Sequence, residues 1–138
     1  MKTLIFIFVI LAVLCILVIL AVLCILYING YLIFKNIKSV YFVGKHGFID
    51  KRCTAKFSAC TGNIRKIMKF KEKRLYNFFF DAKLENGEAK AVIRNSQGKD
   101  ILVLTAENPS GTLDVSDGRY TLIFEMYKAY GSYELTWE

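Results

Sequence analysis

Tyr76–Ile93 reads YNFFFDAKLENGEAKAVI, and its spacing decides the fold. Tyr76, Phe78, Phe80, Ala82 and Leu84 fall at every second position, with Asn77, Asp81 and Lys83 between them. A period of two sends alternate side chains to opposite faces of a strand, so the apolar row faces a core and the polar row faces water. Asn86-Gly87 follows, two residues that both tolerate positive φ, and this pair predicts a tight hairpin. Ala89, Ala91 and Ile93 then continue the inward row.

The same period runs outward in both directions. Upstream, Ile64, Lys66, Met68 and Phe70 share one face, and Lys71-Glu72-Lys73 turns. Downstream, Asn95 to Lys99 turns into Ile101 and Val103. Asn108-Pro109-Ser110-Gly111 breaks the chain before Leu113 and Val115. Asp117-Gly118 turns into Tyr120, Leu122, Phe124 and Met126, and Tyr130-Gly131 leads to Tyr133, Leu135 and Trp137. About seven short strands with no helical period between them predict an all-β, antiparallel, jelly-roll-like β-sandwich over residues 53–138. Phe78 belongs to its core. Phe79 points the other way, and with Tyr127 and Tyr130 it is a candidate contact surface, unless the preceding segment packs over it.

Ahead of this domain lies a different kind of sequence. Leu4 to Ile28 carries no charge, and Leu, Ile, Val or Phe fill all but five of its positions. As a helix it would be about 37 Å long, enough to cross a hydrocarbon core of about 30 Å with some tilt. Its transfer into lipid is favourable by about 8 kcal/mol. The apolar run is longer than that of a cleaved export signal, and no small-x-small pair precedes Asn29. Residues 1–28 are therefore expected to be an uncleaved signal anchor. A nine-residue repeat within it sets Cys15 and Cys24 on opposite sides, so no single cysteine seam results. Residues 29–52 read as a basic juxtamembrane stalk, interrupted by Gly30, Gly44 and Gly47.

Charge is unevenly placed. Lys35 to Arg74 carries +10 and Leu75 to Glu138 carries −4, within a chain total of +7. Lys35, Lys38, Lys45, Lys51 and Arg52 are candidates to face anionic lipid headgroups. The tether and the acidic distal half argue against nucleic acid as a partner.

Cys53 and Cys60 are either a disulfide or two free thiols. A fully extended strand would hold them about 23 Å apart, so a bridge requires a turn near Ala55 to Ser58. Zinc needs a closer pair of ligands than His46, Cys53 and Cys60 supply, and usually a fourth. Catalysis is hard to assemble: His46 is the single histidine, and no Gly-x-Ser-x-Gly elbow or phosphate-cradling loop occurs. Asp114-x-x-Asp117-Gly118 lacks the ligand density of a calcium loop. No catalytic residue, metal or cofactor is assigned.

Gly118-Arg119-Tyr120-Thr121-Leu122 and Gly131-Ser132-Tyr133-Glu134-Leu135 resemble the last two strands of bacterial pre-peptidase C-terminal domains. Phe57-Ser58-Ala59-Cys60-Thr61-Gly62 and Ser132-Tyr133-Glu134-Leu135-Thr136-Trp137 resemble small membrane-anchored β-sandwich proteins of Gram-positive bacteria. The resemblance spans residues 53–138, implies an exported sandwich, and supplies no catalytic residue.

The sequence thus points to a single-pass membrane protein whose sandwich is a non-catalytic binding or interaction module for a protein or glycan at the cell surface. The alternative is a cytoplasmic-facing accessory subunit held on anionic lipid, with a hydrolase third. Orientation is where the indicators conflict. Lys35, Lys38 and Lys45 after the helix favour a cytoplasmic domain, whereas the short charged N-terminus and the implied export favour the outside.

Overall fold

A computed structural model of the chain describes residues 1–28, 33–45, 52–70, 72–115 and 119–138. Helix α1 spans Lys2–Ile28. Seven strands follow among the described residues: β1 (Ile33–Lys38), β2 (Tyr41–Lys45), β3 (Arg52–Lys69), β4 (Leu75–Arg94), β5 (Asp100–Thr105), β6 (Ser110–Asp114) and β7 (Arg119–Trp137). All pairings are antiparallel. Helix α1 is long and apolar enough to cross a membrane, and none of it is buried by the rest of the chain.

Three strands are far longer than the sequence suggests: β3, β4 and β7 have 18, 20 and 19 residues. β7 lies between the other two and pairs with them from end to end. All three break regularity at one level. β3 shifts register between Phe57 and Gly62, and β4 between Leu84 and Glu88. In β7, Lys128 adopts φ 46° and Gly131 φ 138°. Bulges bend strands and raise their twist, so a shared line of them folds one sheet back on itself.

Two layers result. Layer I has the order β2, β3 (52–57), β7 (131–137), β4 (75–84), β6. Layer II has the order β1, β3 (62–69), β7 (119–127), β4 (88–94), β5. The rings between them confirm the packing. Phe124 of layer II stacks on Tyr133 of layer I at 4.6 Å, and Phe80 lies 6.4 Å from Phe124. Phe70, just past β3, meets Phe78 edge-on at 6.4 Å. A ring such as Phe80 or Phe124, fully buried, is worth about 2–3 kcal/mol by area, with roughly 1 kcal/mol more from a well-placed pair.

The expected β-sandwich is therefore present, but some of its parts come from unexpected places. Asn86-Gly87 is not a hairpin. Only Gly87 of the pair has positive φ, and the Asn86 side-chain oxygen accepts from the Gly87 N–H at 3.0 Å. A type I′ turn would need positive φ at both. Continuous pairing with β7 on either side of the bend carries β4 straight through. Tyr130-Gly131 is likewise a bend within β7. The segment read as a stalk supplies β1 and β2, the two edge strands beside β3, so the sheet begins at Ile33. The expected turn over Asn95 to Lys99 is present, with the Asn95 side chain accepting from the Gln97 and Lys99 N–H groups. The turn expected at Asp117-Gly118 lies outside the described residues.

The bend can be tested by substitution. A Cβ at Gly131 would run into the Lys83 carbonyl oxygen, and its φ is one that L-residues avoid. Gly131→Ala is expected to cost about 2 kcal/mol or more, whereas Gly98→Ala, also at positive φ but in open space, should cost about 1 kcal/mol. Phe78→Ala should cost about 3–5 kcal/mol, and Phe79→Ala much less, because Phe78 is 2% exposed and Phe79 49%. Denaturant unfolding of the detergent-solubilised chain measures all four.

Candidate functional site

The outer face of layer I forms an open groove of about 710 Å³. Its floor is built by cross-strand register. One row runs Val43, Lys56, Ser132, Lys83; the next runs Lys45, Thr54, Glu134, Asp81. Arg52 begins a third row, whose Thr136 and Phe79 lie beyond the groove. Each of these side chains is outward because its neighbours Cys53, Ala55, Phe57, Phe80, Tyr133 and Leu135 are buried inward. The floor is thus fixed by the same alternation that makes the core.

Four cations (Lys45, Arg52, Lys56, Lys83) and two carboxylates (Asp81, Glu134) line the groove, an excess of two positive charges. Arg52 donates to Glu134 at 2.8 Å. That pair is half-exposed, so it adds at most about 1 kcal/mol of stability and chiefly orients the two side chains. Asp81 stands directly opposite Glu134, a like-charged pair that the flanking cations offset. Lys56 and Lys83 stand on either side of Ser132. Tyr41, 53% exposed, closes one end of the groove beside Val43.

The basic residues assigned to lipid do not share a surface. Lys45 and Arg52 line the groove in layer I. Lys38 ends β1 in layer II, opposite Thr61, and the Lys35 ammonium sits over the Phe42 ring at 5.4 Å. Lys51 lies outside the described residues, as does His46. The aromatic contact surface is also divided. Phe79, Tyr127 and Tyr130 are all exposed. Phe79 faces Thr136, whereas Tyr130 faces Asn86 at the bend and Tyr127 faces Glu88 beyond it. Six residues of β7 put about 20 Å between the level of Phe79 and that of Tyr130.

Cys53 and Cys60 are free thiols in the structure, both fully buried. The disulfide alternative fails on geometry. β3 runs extended from Arg52 to Phe57, pairing residue by residue with β7, so the turn a bridge requires is absent. Cys60 instead donates to the Met126 sulfur at 3.6 Å. Lys66 is the one buried charged residue among those described, at 2% exposure. It was legible in the alternation of Ile64, Lys66 and Met68, where a lysine takes an inward position. Burial lowers its pKa, and the nearby Cys53 thiolate would raise it. Burial in turn pushes Cys53 up to about 11, with Lys66 pulling the other way, and lifts Tyr133 well above its ordinary value. A buried neutral thiol is a poor nucleophile and a poor metal ligand. No group of three His, Cys, Asp or Glu able to hold a metal occurs among the described residues.

No family model and no curated protein matches the chain. Among solved structures, a CBM4 module gives a TM-score of 0.41 at 12% identity, over 72% of this chain and 72% of that one. TmCBM61 in complex with β-1,4-galactotriose gives 0.42 at 9%, over 80% and 90%. The enzymatically active domain of tailspike protein 4 of bacteriophage CBA120 gives 0.45 at 12%, over 75% of this chain and only 18% of that one. Likeness at this level assigns no function.

The buried cluster has a pH signature. Lys66, with its pKa lowered on folding, penalises the native state while charged; the penalty is full below its folded pKa and vanishes above 10.5. Lys66→Met should therefore be free of this penalty at pH 7. That advantage should shrink as pH rises toward 10.5. The thiols act in the opposite sense, because Cys53 holds its proton from pH 9.0 to about 11 only when folded. Unfolding curves of both proteins across this range, with maleimide labelling of Cys53 and Cys60 expected only after unfolding, give the check.

Proposed function

We propose that this chain is a membrane-anchored, non-catalytic binding module, and that the groove of layer I holds an extended, hydroxyl-rich ligand of net negative charge, an acidic glycan. One observation carries the reading: the groove sets a row holding Lys56 and Lys83 beside a row holding Lys45, Glu134 and Asp81, with a surplus of cations. Paired hydroxyls of a sugar are met by carboxylates and ammonium groups acting as acceptors and donors. Acidic groups along the polymer are met by Lys56, Lys83 and Lys45. Tyr41 offers a ring face at the end for stacking. Asp81 and Glu134 act here as acceptors, with Glu134 held by Arg52. Helix α1 supplies the anchor by length and composition.

A second reading draws on the thiols. Cys53 and Cys60 stay unbridged, which suits a reducing compartment and the cytoplasmic-facing alternative. Protease added to intact cells separates the two orientations. Digestion of the domain before lysis supports the outside, and protection until lysis supports the cytoplasm.

The ligand test uses the full chain in nanodiscs, with polygalacturonate as the acidic polymer and dextran as the neutral one, read by biolayer interferometry. Polygalacturonate should bind and dextran should not. Lys56→Glu and Lys83→Glu should each weaken binding about tenfold, equivalent to about 1.4 kcal/mol. Binding that is absent, or unchanged in both variants, refutes the groove as the site.

A further inference from the structure

The outer face of layer II has a centre unlike that of layer I. Its middle row runs Phe34, Arg65, Ile123, Val92, Val103 across all five strands. Ile123 and Val92 are 0% and 3% exposed, yet they stand outside the cluster that fills the space between the layers. They alternate with the inward Leu122, Phe124, Ala91 and Ile93, so they point to the outer side of the sheet, where they are nonetheless covered. Phe34 and Val103 flank them at 55% and 41% exposure, with Ile101 also exposed on β5.

This face is continuous with the helix. The Tyr27 ring in the last turn of α1 packs edge-on against Phe34 at 4.8 Å, and α1 also approaches β3. The same end of the face is basic. Arg65, Lys69 and Arg119 are exposed there, and the one carboxylate beside them among the described residues, Asp100, is bridged by Arg94 at 2.7 Å. Glu125, nearer the bend, is bridged by Lys90. An aromatic pair at the helix end, the exposed apolar side chains of Phe34, Ile101 and Val103, and exposed arginine and lysine are what an interfacial surface presents to headgroups.

We propose that this face, through Phe34 and Arg65 beside the helix, Arg119 on the central strand and Val103 at the far edge, seats on the surface of an anionic bilayer and turns the layer I groove away from it. The proposal rests on the reading of α1 as a membrane anchor, and it adds a contact the anchor alone does not require. A domain merely tethered would tumble on its linker, whereas a seated one holds a single face toward lipid.

The test uses the full chain with Cys15→Ala and Cys24→Ala, leaving only the two buried thiols. Bimane is placed at Val103→Cys or, on the opposite outer face, at Thr112→Cys. Each protein is reconstituted into phosphatidylcholine vesicles with or without phosphatidylglycerol, and brominated lipid is the quencher. Carbonate-resistant flotation with the vesicles reports the anchor independently. The expected result is flotation, quenching at Val103 but not Thr112 in anionic vesicles, and loss of that quenching in Arg65→Glu/Arg119→Glu. Flotation with Val103 unquenched, or with both labels quenched alike, overturns the seating and leaves the anchor standing. A chain that fails to float overturns both.

Discussion

One line of backbone irregularity governs this molecule. Ala59 to Gly62, Leu84 to Glu88 and Lys128 to Gly131 lie side by side because β7 pairs with both neighbours through the bend. If any one strand ran straight, its two halves could not occupy both layers. Phe124 would lose Tyr133, and Phe70 would lose Phe78. Core, edge strands and surfaces all follow from that shared fold line. β1 and β2 pass from one layer to the other beside β3, and β5 and β6 do the same beside β4. Both open edges of the sandwich are formed by such crossing pairs.

The bend also separates two chemistries. Because alternation is strict in both layers, every inward aromatic fixes its neighbours outward. In layer I those neighbours are Lys56, Lys83, Asp81 and Glu134, and in layer II they include Ile123 and Val92. A polar groove on one face and an apolar, basic face on the other are thus written into the same strands. The reading of a ligand-holding groove and a lipid-seated face assigns one task to each.

Period-two rows from Ile64 to Phe70, from Tyr76 to Leu84 and after Tyr120 were legible because each depends only on its own alternation. The opposed fates of Phe78 and Phe79 were legible for the same reason. Asn86-Gly87 misled because local turn preference cannot see β7, whose ladder with β4 resumes on the far side of the bend. β1 and β2 were hidden by their lysines, which belong to edge strands whose outer side faces water. The groove was hidden because it is a product of register. Lys56, Asp81 and Ser132 are distant in sequence and meet only when β3, β7 and β4 are aligned. Phe79, Tyr127 and Tyr130 illustrate the converse, as exposure was foreseen but their separation along β7 was not. Lys66 stood in plain view among apolar neighbours, and its partner across the sandwich, Cys53, was read for disulfide chemistry instead.

The central claim is that one folded sheet presents its ligand groove on layer I alone. Amide chemical-shift mapping by NMR, on the isotope-labelled chain in detergent micelles titrated with a galacturonate oligosaccharide, tests it most directly. The account predicts perturbations confined to residues 41–45, 52–56, 81–83 and 132–134, with residues 62–69, 88–94 and 119–126 unmoved. Perturbations centred on the layer II segments, or none anywhere at saturating oligosaccharide, would contradict it.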